Sequence, residues 1–135
     1  MRSADLKTTI QGNAAEIVRL HERVHETAQL RSRDAESLAD WKRACEEFHS
    51  RYNGLCFPGG YQGAGDRILA ADADTLEAAL CFFELRPYFF RSGYMYGALM
   101  RKIKRATLTP RQAERLRVVH ERDAGWRAKK RRGGA

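Results

Sequence analysis

The sequence predicts an all-α protein, a compact bundle of five to six helices with no sheet. Apolar residues recur at helical spacing along most of the chain, and helix start and stop signals punctuate it. No stretch alternates between apolar and polar residues as a strand would. At 135 residues, 43% of them apolar, the chain is long enough for one domain around its own core. That domain is expected over residues 1–128, followed by a flexible basic tail over residues 129–135.

The first half reads as helix. Ile10, Ile17, Val24, Leu38, Cys45 and Tyr52 share one seven-residue phase, with Leu20, Trp41 and Phe48 on companion positions. Arg31 and Asp34 interrupt that stripe, so Arg31-Ser32-Arg33-Asp34 predicts a turn in which Ser32 or Asp34 caps a second helix. The alternative is one long bent helix, but an unbroken helix of about forty-five residues is rare in so small a domain. Asn53-Gly54 is a helix-ending pair. The glycine-rich stretch from Pro58 to Gly65 follows, then a short helix over Asp66–Ala71.

Asp74 with Glu77 three residues on predicts a capping box. It would open a helix through Leu85 that is apolar on most sides, the signature of a central helix. Pro87 stops that helix. Ser92 is placed to cap the next, from Tyr94 to about Ala106, with Tyr96, Leu99, Met100 and Ile103 as its buried stripe. The last helix has the clearest start: Thr109 as N-cap, Pro110 at the first position and Gln112 completing the box. It is expected to run to about Lys129 and to bury Ala113, Leu116, Val119 and Trp126.

Charge is distributed unevenly. Residues 1–60 hold nine basic and nine acidic side chains, residues 61–86 hold two and five, and residues 87–135 hold fourteen and three. A net +8 thus conceals an excess of eleven positive charges in the last third, the usual footprint of a surface that meets a polyanion. No apolar run approaches the roughly 18 to 20 residues needed to cross a bilayer, so membrane insertion is not expected. The start of the chain has no apolar leader, and the expected location is cytoplasmic. Cys45, Cys56 and Cys81 lack any Cys-x-x-Cys spacing and read as buried reduced thiols, Cys45 and Cys81 among apolar neighbours.

Several strings carry possible chemistry. His21-Glu22-Arg23-Val24-His25 is a literal H-E-x-x-H, which on a helix puts two imidazoles on one face for zinc. Only twenty residues precede it, leaving no sheet edge to hold a substrate, and no third ligand follows at a familiar spacing. It reads as a chance match, and neither metal nor cofactor is expected. Arg43 before His49, Arg115 before His120 and Arg19 before His25 could serve a metal-independent helical ribonuclease, with histidine as base and arginine on the transition-state phosphate. Nineteen arginines make such spacings common, so this is a minor alternative. The Gly59–Gly65 segment lacks the Gly-Lys-Ser/Thr ending of a phosphate loop and reads as a surface loop.

The basic end is the feature that points to function. Arg91, Arg101, Lys102, Lys104 and Arg105 lie on one predicted helix and its approach. Arg111, Arg115, Arg122 and Lys129 fall along one side of the last helix, and Lys130, Arg131 and Arg132 continue beyond it. Tyr88, Tyr94 and Tyr96 have polar ends suited to a rim and could stack bases. The sequence therefore predicts a nucleic-acid-binding protein rather than an enzyme, RNA somewhat before DNA, held mainly through phosphates. The alternative is an adaptor or immunity-like module whose basic face meets an acidic protein.

Overall fold

A computed structural model describes residues 3–133 as six helices, with no strand among the described residues. In chain order they are α1 (Ser3–Leu30), α2 (Ala35–Cys56), α3 (Ala64–Leu69), α4 (Ala73–Leu85), α5 (Ser92–Ile103) and α6 (Pro110–Gly133). The all-helical reading holds. So does the hairpin: α1 turns through Arg31–Asp34 into α2, and the Asp34 carboxylate accepts the Ser37 backbone N–H at 2.7 Å, an N-cap.

The seven-residue phase does not carry across that turn. On α1 the buried residues are Leu6, Ile10, Ala14, Ile17 and Leu20, but on α2 they are Ala44, Phe48 and Cys56. Leu38 is exposed and Cys45 only half-buried. A reversal resets the helical phase, so a stripe extrapolated through it points the wrong way. From Val24 to Lys42 nothing is fully buried, and the hairpin tip stands clear of the core.

Helix α4 is the hub expected from its apolar surface. Leu80, Cys81, Phe82 and Phe83 are wholly enclosed, and α1, α3, α5 and α6 all pack on it. Its N-cap is Asp72 rather than Asp74: the Asp72 side chain accepts from the Thr75 backbone, and Asp74 falls in the first turn. Glu77, expected to complete a box, instead points at Ser3 and Arg115. Helix α2 continues past Asn53-Gly54 to Cys56, because Asn53 serves as a staple. Its backbone carbonyl accepts from Tyr61 and its side chain from Gln62, closing the glycine-rich loop. Gly59, Gly60 and Gly63 take φ of +82°, +89° and +81°, and the Arg67 guanidinium fills the loop by donating to the Gly60 carbonyl at 2.8 Å.

Helix α3 starts two residues earlier than expected, at Ala64. Helix α5 begins at Ser92 itself, whose hydroxyl accepts from the Phe89 N–H, and ends at Ile103 rather than Ala106. Helix α6 has the predicted reciprocal box: Thr109 N–H donates to the Gln112 side chain at 2.9 Å and Gln112 N–H to the Thr109 hydroxyl at 3.2 Å. Replacing Thr109 with alanine should cost about 1 kcal/mol, read as a lower urea midpoint at unchanged slope. Leu116 and Val119 are buried as expected, whereas Ala113 and Trp126 are exposed, Trp126 by 49%. The helix runs four residues beyond Lys129, to Gly133, and among the described residues none after Asp123 is buried. Residues 134–135 of the predicted tail lie outside the described residues.

Candidate nucleic-acid interface

The candidate surface is organised around one carboxylate. Asp123 is 5% exposed on α6 and accepts from the Tyr96 hydroxyl, from Arg86 at 2.9 Å and from Arg122 at 3.2 Å. Burial alone would raise its pKa. The hydrogen bonds from Tyr96 and Arg122 and the charges of Arg122 and Arg86 outweigh that, and hold the carboxyl below its ordinary range. Tyr96 is pushed up to about 12, first by burial and then by Asp123. Arg122 also donates to the carbonyls of Glu84 and Phe83, each at 2.7 Å. Those carbonyls belong to the last turn of α4, where a cation meets both unsatisfied acceptors and the negative end of the helix dipole.

A second clamp ties α6 to α4. Arg115 reaches Glu84 at 2.7 Å and Glu77 at 2.6 Å, and Lys7 of α1 approaches Glu84 at 3.3 Å. Burial pushes both carboxyls up, but Arg115 hydrogen bonds and charge leave them below the ordinary value, aided by Ser3 at Glu77 and Lys7 at Glu84. Arg115 and Arg122, predicted as nucleic-acid contacts, are thus spent inside the fold. The side of α6 that carries them faces α4. Tyr96, predicted as a stacking residue, is 9% exposed and also serves the fold.

The other predicted cations remain open. Among the described residues, Arg91, Arg101, Lys102, Lys104, Arg105, Arg111, Lys129, Lys130, Arg131 and Arg132 make no ion pair. Arg101 and Lys104 line a groove of about 380 Å³ between α5 and α6, across from His120 and Arg127. The two helices each lean on α4 rather than closing on one another, which is what opens the groove. Lys102 points elsewhere, its stem lying against Gly65 of α3. Arg105 and Arg111 flank the α5–α6 turn, and Lys129 to Arg132 lie on the projecting end of α6.

A larger cavity, about 690 Å³, adjoins this groove and shares Arg86, Gly93 and Tyr96 with it. Its walls are the Arg86–Arg91 loop and the His21–Glu22 turn of α1. Arg86 and Arg91 bracket the loop in left-handed backbone, at φ of 47° and 66°. Tyr88, on the cavity wall, is 90% exposed, and Tyr94, outside the cavity, is 70% exposed. Within the H-E-x-x-H string, His21 stacks on Phe90 at 4.8 Å between ring centres and meets Phe48, while His25 and Glu22 are exposed. Burial, and then the neighbouring His25, depress the His21 pKa. No group of three or more His, Cys, Asp or Glu side chains among the described residues is arranged to hold a metal ion. All three cysteines are free thiols, Cys56 and Cys81 buried.

Sequence reasoning missed four contributors, Arg86, Phe90, Trp126 and Arg127, and read His120 only as a ribonuclease candidate. Trp126 carried a signal. Its neighbours at three and four positions either way are Arg122, Asp123, Lys129 and Lys130, so no apolar stripe exists for it to join. In the structure its ring lies beneath two guanidinium groups, Arg122 at 4.7 Å and Arg86 at 5.3 Å. No family model matches the chain, and no curated protein or solved structure matches it significantly.

Proposed function

We propose that the protein binds single-stranded nucleic acid, RNA ahead of DNA, along the α5–α6 groove and the projecting end of α6. The observation that carries this reading is the set of cations without carboxylate partners among the described residues, Arg91, Arg101, Lys102, Lys104, Arg105, Arg111, Arg127 and Lys129 to Arg132, together with the exposed rings of Tyr88, Phe90, Tyr94 and Trp126. Unpaired cations capture phosphates, and exposed rings stack unpaired bases. Bases are free to stack in single strands and loops, which is where RNA recognition concentrates.

Affinity for a short oligonucleotide should fall steeply with salt, by a slope of about −0.7 per phosphate neutralised. Truncation before Arg127 removes Arg127, Lys129, Lys130, Arg131 and Arg132. It should flatten the slope by up to roughly 3.5 and weaken binding at every salt concentration. Fluorescence anisotropy titrations between 50 and 300 mM salt, on the order of the Debye-screened range, check both. Salt-independent affinity, or none at the lowest salt, would sink the proposal.

A second reading rests on a different surface. Leu108, Ala113, Leu116 and Ala124 line an open apolar trough beside α6, with His120 between it and the groove. Such a strip suits an acidic protein partner better than a polynucleotide. One acidic protein retained after nuclease treatment would favour it.

A further inference from the structure

We propose that the groove between α5 and α6 is a pocket for a terminal phosphate monoester of the bound strand, held by Arg101, Lys104, His120 and Arg127. The inference rests on the nucleic-acid reading and names the part of the ligand that this concavity takes.

Charge bookkeeping within the groove is the first argument. Asp123 is the one carboxylate on its walls, and its oxygens are already taken by Tyr96, Arg86 and Arg122. Nothing on the walls offsets Arg101, Lys104 and Arg127, which two helices bring to one concave surface. Like charges so gathered repel, and an anion seated among them relieves the repulsion. A terminal monoester carries about −1.5 to −2 and three acceptor oxygens, where an internal phosphodiester carries one charge. Three open cations match the former.

Shape is the second. A volume near 380 Å³ is at the small end of ligand clefts, fitted to a compact group rather than to a track along a backbone. The α5 wall is bare at Gly93 and Gly97. Arg101 folds back over Gly97, its Nη1 3.6 Å from where a β-carbon would stand. At the Arg86–Tyr96 end, the groove borders the larger cavity, which has Tyr88 and Phe90 on its walls. A phosphate in the groove would leave its nucleoside and the next base in that cavity, beside rings that can stack.

His120 completes the set. Burial and then Lys104 depress its pKa, Asp123 partly opposing and Arg127 adding to the effect. It faces Arg101 and Lys104 of α5, Arg86 of the loop, and Asp123 and Arg127 of its own helix, while Glu121 beside it is paired with Arg117. An imidazole N–H at this position can donate to a phosphate oxygen.

The test uses the full chain and competition by three unlabelled ten-nucleotide uridine RNAs, carrying a 5′-phosphate, a 3′-phosphate or hydroxyls at both ends. One phosphorylated RNA should compete about tenfold better than the hydroxyl form, the equivalent of one good charge-assisted contact. Lys104→Gln with Arg127→Gln should erase that preference, both side chains being exposed and unpaired, so that the fold survives. Lys130→Gln with Arg131→Gln should weaken all three RNAs alike. Equal competition by the three RNAs overturns the pocket and leaves the nucleic-acid reading standing. Absence of binding by any RNA overturns that reading instead, and uridine monophosphate then tests the pocket alone. Shifted His120 ring protons on its addition support the site, and unshifted ones overturn it.

Discussion

Replacing Asp123 with alanine should cost roughly 3–5 kcal/mol of folding free energy, the scale for removing one partner from a buried charge cluster. Three groups lose their acceptor at once: the buried Tyr96 hydroxyl, Arg86 and Arg122. Arg122 keeps the carbonyls of Phe83 and Glu84, but its position there depends on Asp123 holding the other side of the guanidinium. Arg86 sits in left-handed backbone, and its carboxylate contact is part of what offsets that strain. Urea unfolding of the alanine variant at pH 7 measures the loss. Asp123→Asn, which keeps the shape and one acceptor, should lose distinctly less. An alanine variant within about 1 kcal/mol of the parent would show that the cluster is dispensable. Since the Asp123 pKa is lower in the fold than in the unfolded chain, its contribution is fully present above the unfolded value of about 3.9. It is lost as pH falls through the folded value. The variant should therefore show a flatter stability profile below pH 4, on the order of the unfolded carboxyl range.

Arg115→Met should cost about 2–3 kcal/mol at neutral pH, the range for charge-assisted hydrogen bonds withdrawn from partly buried partners. Methionine keeps the stem's contacts and removes only the guanidinium. Glu77 and Glu84 would then stand two turns apart on α4 without their common cation, Glu84 keeping only Lys7. Both carboxyls have depressed folded pKa values that Arg115 helps to maintain, so their stabilisation exists above the unfolded range and disappears on acidification. The gap between variant and parent should thus be widest near neutrality and should narrow as pH drops through about 4, where protonated carboxyls no longer need the arginine. Paired urea curves at the two pH values test it. A gap that stays constant would mean that the cost lies in lost contacts rather than charge.

The elements were legible because their signals are local. Thr109-Pro110 and Gln112 lie within one helical turn, and they start α6 where expected. The apolar girth of α4 depends on no neighbour, and it identified the hub. The fate of individual arginines was not local. Arg115 meets carboxylates 31 and 38 residues away, and Arg122 meets carbonyls at similar separations. A helical wheel shows where a cation points but not whether a distant acid awaits it. One clue was available: Glu77 and Glu84 lie on an otherwise apolar, buried helix, and buried carboxylates require partners. Asp123, one of three acids amid fourteen basic residues at that end, carried the same message. Reading those acids first would have removed Arg115 and Arg122 from the interface and left the groove-lining cations.

The length of α6 beyond Asp123 has a consequence for how ionic strength acts. Arg127 lies one turn from Lys130 and Arg131, and Lys129 one turn from Arg132, with no acidic residue after Asp123 and no buried side chain to anchor the turns. Like charges at such spacings weaken a helix, only partly compensated by the dipole at its C-terminal end. Added salt screens that repulsion and should raise the helicity of the arm. The same salt loosens its hold on any polyanion. Dilute buffer thus favours a frayed arm that grips, and concentrated buffer a straight one that lets go.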